Sequence, residues 1–109
     1  MSATSKRAEF NELIHAPVRL RICAGLAPLQ WAEFAQLRES LDVSDSVLSK
    51  HLKQLSDAGY LQMERFTRKG RSHVRLALTK SGRKAYVGHV AALRAMLNSE
   101  SDPGDSRTP

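Results

Sequence analysis

The stretch from Asp42 to Arg75 constrains this chain more than any other, because a helix start, an apolar face and a helix stop follow in direct succession. Ser44 can accept one of the amide protons that a helix start leaves without an intrahelical partner, and Asp45 places a negative side chain in the positive first turn. Leu48, Leu52 and Leu55 follow at spacings of four and three, which puts them on one helical face. Ser46, Ser49, Lys50 and Lys53 fall mostly on the other side. Gly59 ends the helix, since glycine takes the left-handed conformation after a last turn without steric penalty. A helix of this kind commonly has no more than a solvated polar face. The residues after Gly59 decide otherwise.

Tyr60 to Phe66 is a strand by composition, and Ser72 to Leu78 is another with clear alternation. Between them, Thr67 to Arg71 makes a turn with three positive charges, Arg68, Lys69 and Arg71, and Gly70 allows its tight path. Upstream, Glu33 to Leu41 predicts a helix with Phe34, Leu37 and Leu41 on its buried face, and Asp42-Val43 joins it to the next. Trp31-Ala32 predicts a short strand that pairs with the later hairpin. Helix, turn, helix and basic hairpin together define a winged helix-turn-helix, an α+β fold that is mainly helical.

Around this unit the chain supplies two flanks. Glu9 to Ile14 predicts a short helix, and Pro17, suited to a first helical position, opens another that runs to about Gly25. Val18, Ile22 and Leu26 repeat there every four residues, Cys23 sits beside them as a buried small hydrophobe, and Arg19 and Arg21 face outward. Thr79 can cap a final helix on which Ala85, Tyr86, His89, Val90, Ala92, Leu93, Met96 and Leu97 form a broad stripe. One small domain does not need that much apolar surface, so a second subunit is expected to cover it. The expected dimer contacts are Phe10, Leu13, Ile14, Tyr86, His89, Val90, Leu93, Met96 and Leu97. The predicted layout is a flexible segment at 1–8, the folded domain at 9–97 and a disordered tail at 98–109.

The chain has 109 residues, enough for one small domain with a thin core. It carries no run that could cross a membrane and no hydrophobic leader, and its single cysteine makes no internal disulfide; cytoplasmic residence is the expectation. Its net charge is +6. From Ser44 to Lys84 ten basic residues face three acidic ones, a local balance of +7, while the remainder stands at −1. Concentration of the whole excess between Ser44 and Lys84, the stretch that holds this helix and hairpin, points to a polyanionic partner.

No catalytic set is visible. His15, His51, His73 and His89 have no cysteine or carboxylate grouping of metal-ligand type, no Gly-x-Ser-x-Gly elbow occurs, and the glycines form no phosphate-binding loop. No cofactor and no metal are expected. His51, on the border between the buried and exposed faces, has two readings: a ring hydrogen-bonded to the neighbouring scaffold, or a phosphate contact.

The chain resembles the winged-helix transcriptional regulators of the ArsR and MarR superfamily. The resemblance begins at Leu13-Ile14-His15-Ala16-Pro17-Val18-Arg19-Leu20-Arg21-Ile22 and continues through Ser44 to Leu55, Ala58-Gly59-Tyr60-Leu61 and Leu78-Thr79-Lys80-Ser81-Gly82-Arg83. It implies a homodimeric repressor that binds a palindromic operator in double-stranded DNA. Base reading is then expected of Ser46, Ser49, Lys50 and Lys53, with Ser44, Asp45 and His51 at the helix entrance and backbone. Arg65 borders the wing, and Arg68, Lys69 and Arg71 occupy its loop. Metal-sensing ArsR-type proteins carry cysteines in the first helix of the DNA-reading pair, whereas Phe34 to Leu41 has none. MarR-type proteins have longer flanking helices around a ligand pocket, which leaves a small-molecule effector open here. The competing class is a winged-helix module for a protein or RNA partner without operator specificity; nonspecific chromosome packing would keep the basic face but lose sequence preference.

Overall fold

Three apolar stripes, from Ile22 and Leu26, from Leu37 and Leu41, and from Leu48, Leu52 and Leu55, converge on one core. The computed structural model describes residues 8–105, with side chains as far as 98. Its elements are α1 (Glu12–His15), α2 (Pro17–Leu26), β1 (Ala32–Glu33), α3 (Phe34–Leu41), α4 (Asp45–Asp57), β2 (Leu61–Arg68), β3 (Arg71–Leu78) and α5 (Lys80–Asp105). The architecture is mainly helical with one small antiparallel sheet, in the order β1-β3-β2. The short third strand expected near Trp31 is present, and Ala32 pairs with Leu76.

Local chemistry explains most of the boundaries. The Ser44 hydroxyl accepts from the Val47 amide at 3.1 Å and caps α4, as expected. Gly59 adopts φ 83° directly after that helix. Leu48, Leu52 and Leu55 are fully buried, and each contributes about 1.5–3 kcal/mol. Cys23 is likewise buried in the core, and burial pushes its thiol up to about 11. In β2 and β3 the pairing Leu61↔Leu78 directs two leucines inward, while Glu64↔Arg75 and Phe66↔His73 lie on the outer face.

The start of α5 is joined to the end of α4 with little room to spare. The Thr79 hydroxyl donates to the Gly59 carbonyl at 2.7 Å and accepts from the Gly82 amide at 2.9 Å. Ser81 Oγ donates to the same Gly59 carbonyl at 3.0 Å, and the Thr79 amide donates to Tyr60 O, also at 3.0 Å. A Cβ at Gly82 would lie 2.1 Å from that Tyr60 oxygen. Only glycine fits there.

The α5 backbone is helical as far as Asp105. Residues 1–7 and 106–109, the ends of the two expected flexible segments, lie outside the described residues. Two of the expected dimer contacts need correction: Ile14 and His89 are fully buried within a single chain, so neither presents a surface to a second subunit. His89 instead closes the chain's own seam between α1 and α5. The Asn11 amide donates to its Nδ1 at 3.0 Å, which leaves Nε2–H to donate to His15 Nδ1 at 3.1 Å, with Phe10 edge-on to the ring. Burial, followed by the charge of His15, lowers the His89 pKa. An amphipathic stripe marks which residues are covered, not by what.

Candidate nucleic-acid interface

Ser46, Ser49, Lys50 and Lys53 stand at i, i+3, i+4 and i+7 on α4, so the helix gathers all four on one exposed ridge opposite its leucines. They are not equivalent. Lys53 Nζ lies 3.2 Å from Asp57 one turn along, and Ser46 Oγ is 3.3 Å from the capping Ser44 hydroxyl. Lys50 forms no ion pair among the described residues. Asp45, expected at the helix entrance, pairs with Arg38 at 2.9 Å and ties α3 to the first turn of α4.

His51 is half-buried and held by the scaffold. Arg19 Nη1 donates to its Nδ1 at 2.9 Å and to Gln54 Oε1 at 2.5 Å, while Arg19 Nε donates to the Leu13 carbonyl at 2.6 Å. Burial, then the Arg19 charge, lowers the His51 pKa. Arg19 therefore does not face outward without a role; it joins α1 to α4. Arg21 is exposed, as expected, and donates to the Leu41 carbonyl at 3.1 Å.

The wing is tighter than the five-residue turn expected at Thr67–Arg71. The strands reach Arg68 and Arg71, and only Lys69 and Gly70 lie between them, at φ 52° and 74°. Two successive left-handed residues make the turn whose twist matches the flanking strands. Arg65, Lys69 and Arg71 are exposed and make no ion pair among the described residues. Arg68 is different: it grips Glu33 with two hydrogen bonds, at 2.8 and 3.1 Å. Those bonds hold the Glu33 carboxyl below the usual carboxylate range.

Sequence reading missed the lattice of rings that braces this wing. The Arg75 guanidinium lies 4.8 Å from the Trp31 ring and 4.9 Å from Phe66. His73 stacks on Phe66 at 5.3 Å, and Arg68 sits 5.5 Å from the same ring. Arg75 Nε is 3.4 Å from the Glu64 carboxylate, but no hydrogen-bond geometry is achieved, so the flanking rings hold the guanidinium. The available signal was alternation: Glu64, Phe66 and Arg68 on one strand, with His73 and Arg75 on its neighbour, share a face.

A braced helix with an exposed polar ridge beside a cationic two-residue wing is a winged helix-turn-helix. Residues 18–97 match the family described as winged helix DNA-binding domain, and the chain belongs to that family. An uncharacterized protein of Methanocaldococcus jannaschii is 32% identical over 79 residues, covering 72% of this chain and 86% of that protein. A transcriptional regulator homologue from Pyrococcus horikoshii OT3 has a TM-score of 0.78 at 23% identity, over 83% of this chain and 89% of its own. A zinc-responsive MarR family member from Lactococcus lactis has a TM-score of 0.61 at 22% identity, over 99% of this chain and 78% of its own. At these identities the two structures share their fold with this chain. No described helix is long and apolar enough to cross a membrane.

Proposed function

We propose that the chain is a sequence-specific transcriptional repressor that binds a palindromic operator in double-stranded DNA as a homodimer. The observation that carries this reading is the single ridge of Ser46, Ser49, Lys50 and Lys53 on a helix fixed from behind by Arg38 and Arg19, with the cationic wing beside it. A helix fits the major groove, where serine and lysine reach base edges; the wing cations reach the adjacent phosphates or minor groove. Repression is the direction proposed because the resemblance to winged-helix regulators suggests it. Selection of bound DNA from a random duplex pool tests the proposal. Enrichment of an inverted repeat with half-sites about 10 base pairs apart is expected; a pool that stays random would favour a protein or RNA partner, or nonspecific packing.

Dimerisation is assigned to α5. Val87, Met96 and Leu97 are 44%, 48% and 65% exposed, and Val90 and Leu93 on the same helix are half-covered. Tyr86 on the same helix is also half-covered, as are Phe10, which packs edge-on to His89 of α5, and Leu13 of α1. Exposure of that much aliphatic surface suits a second copy better than water. Sedimentation at micromolar concentration should show a dimer, and Leu93→Glu should give monomers, because a carboxylate would be desolvated at the seam. A wild-type monomer would defeat the assignment.

The wing is proposed to contact phosphate through Lys69 and Arg71, with Arg65 behind them and Arg68 held back by Glu33. A Lys69→Ala/Arg71→Ala chain should bind selected and random duplexes more weakly by similar factors, since phosphate carries no sequence information. The slope of log affinity against log salt should fall by about two units per subunit. An unchanged slope in a folded dimer would take the wing off the contact surface.

A further inference from the structure

A neutral imidazole has one donor and one acceptor nitrogen, and a guanidinium has only donors. Arg19 Nη1, 2.9 Å from His51 Nδ1, therefore makes that nitrogen the acceptor and leaves the ring proton on Nε2. The guanidinium cannot swing away easily, because it is also bonded to Gln54 Oε1 and to the Leu13 carbonyl. His51 Nε2 makes no hydrogen bond among the described residues and is not a buried unpaired atom, so it remains reachable from outside. It stands one residue after Lys50, on the same helix as the exposed ridge.

We propose that Arg19 is a positioning residue that holds His51 as a neutral Nε2–H donor, and that this N–H takes a backbone phosphate of duplex DNA. The proposal rests on the DNA-binding reading above. The charged groups around the ring are Arg19 from α2 and Lys50 on α4; both are positive and act with burial against the imidazolium, while Gln54 alone favours it. The contact is thus made by a dipole rather than a charge. It fixes the register of the recognition helix on the backbone without adding to the salt dependence of binding.

Two measurements test it. Nitrogen NMR of the His51 ring in the free protein at neutral pH should show Nε2 protonated and Nδ1 bare, with the two forms mixed in Arg19→Met. Affinity for a random duplex, measured over a salt series, should fall by about tenfold per subunit in His51→Ala with an unchanged slope. His51→Gln, which keeps a neutral donor, should recover most of the loss. The opposite tautomer in the wild type would overturn the role of Arg19. Undiminished affinity in a folded His51→Ala chain would overturn the phosphate contact, and a slope lowered by about one unit would show a charged ring and overturn the neutral donor. A wild-type chain without any duplex affinity would overturn the DNA-binding reading and the contact with it, while the tautomer result would stand by itself.

Discussion

Gly82→Ala should lower the stability of the domain by about 3 kcal/mol, an effect opposite in sign to the one helix propensity predicts. Alanine inside an exposed helix is about 1 kcal/mol better than glycine. At Gly82 the new methyl would instead meet the Tyr60 carbonyl at 2.1 Å, and the Tyr60 backbone carbon and Cα at 2.8 and 2.9 Å. Backbone atoms cannot rotate aside as a side-chain tip can, so α5 must lift from Tyr60. That movement also breaks the bonds from Thr79 and Ser81 to the Gly59 carbonyl. For a domain of about 100 residues, such a loss lowers the melting temperature by roughly 12–24 °C. Gly25→Ala is the matched control, because its Cβ would find Leu37 at an ordinary 3.5 Å. Thermal melts should therefore move in opposite directions for the two variants. A stable Gly82→Ala chain would show that the junction is looser than drawn.

Ser49→Ala combined with Lys50→Ala should abolish most of the discrimination between a selected operator and random duplex. Both side chains are exposed, Lys50 forms no ion pair among the described residues, and neither supports the core, so folding should be unaffected. Each base contact is worth about 1–3 kcal/mol of discrimination, and a dimer loses it at two half-sites. The specificity ratio should consequently fall on the order of a hundredfold or more. Ser49 adapts to several bases, whereas Lys50 favours guanine, so restoring Lys50 alone should recover preference at guanine positions. An unchanged ratio would move the base-reading surface elsewhere on the reading head.

The parts of this molecule that could be read from the sequence are those specified by near neighbours in the chain. Ser44 caps three residues ahead, Leu48, Leu52 and Leu55 share a face through helical period alone, and Gly59 and Gly70 punctuate by backbone conformation. The parts that escaped depend on partners far along the chain. Arg19 meets His51 and Gln54 at separations of 32 and 35 residues, and Arg68 meets Glu33 at 35. No periodicity encodes those encounters. His89 illustrates the converse problem: its position on the apolar stripe was evident, but α1 rather than another subunit covers it. Trp31, Phe66 and Arg75 could have been grouped only after the strand register was known, since a slip of one residue would send alternate side chains to opposite faces.

The shared Gly59 carbonyl makes α5 a caliper as well as the proposed interface. The reading helix is bolted near Gly82, while the proposed seam lies around Leu93, about 17 Å farther along a rigid rod. Swinging that arm by about 10° displaces its clamped end by about 3 Å, close to the roughly 3.4 Å step between stacked base pairs. The crossing angle of two such rods would then set how far apart the two jaws open on a duplex. Substitutions at Leu93 or Met96 that leave the dimer intact but retilt the rods should shift the preferred gap between half-sites by whole base pairs, with every base contact unchanged.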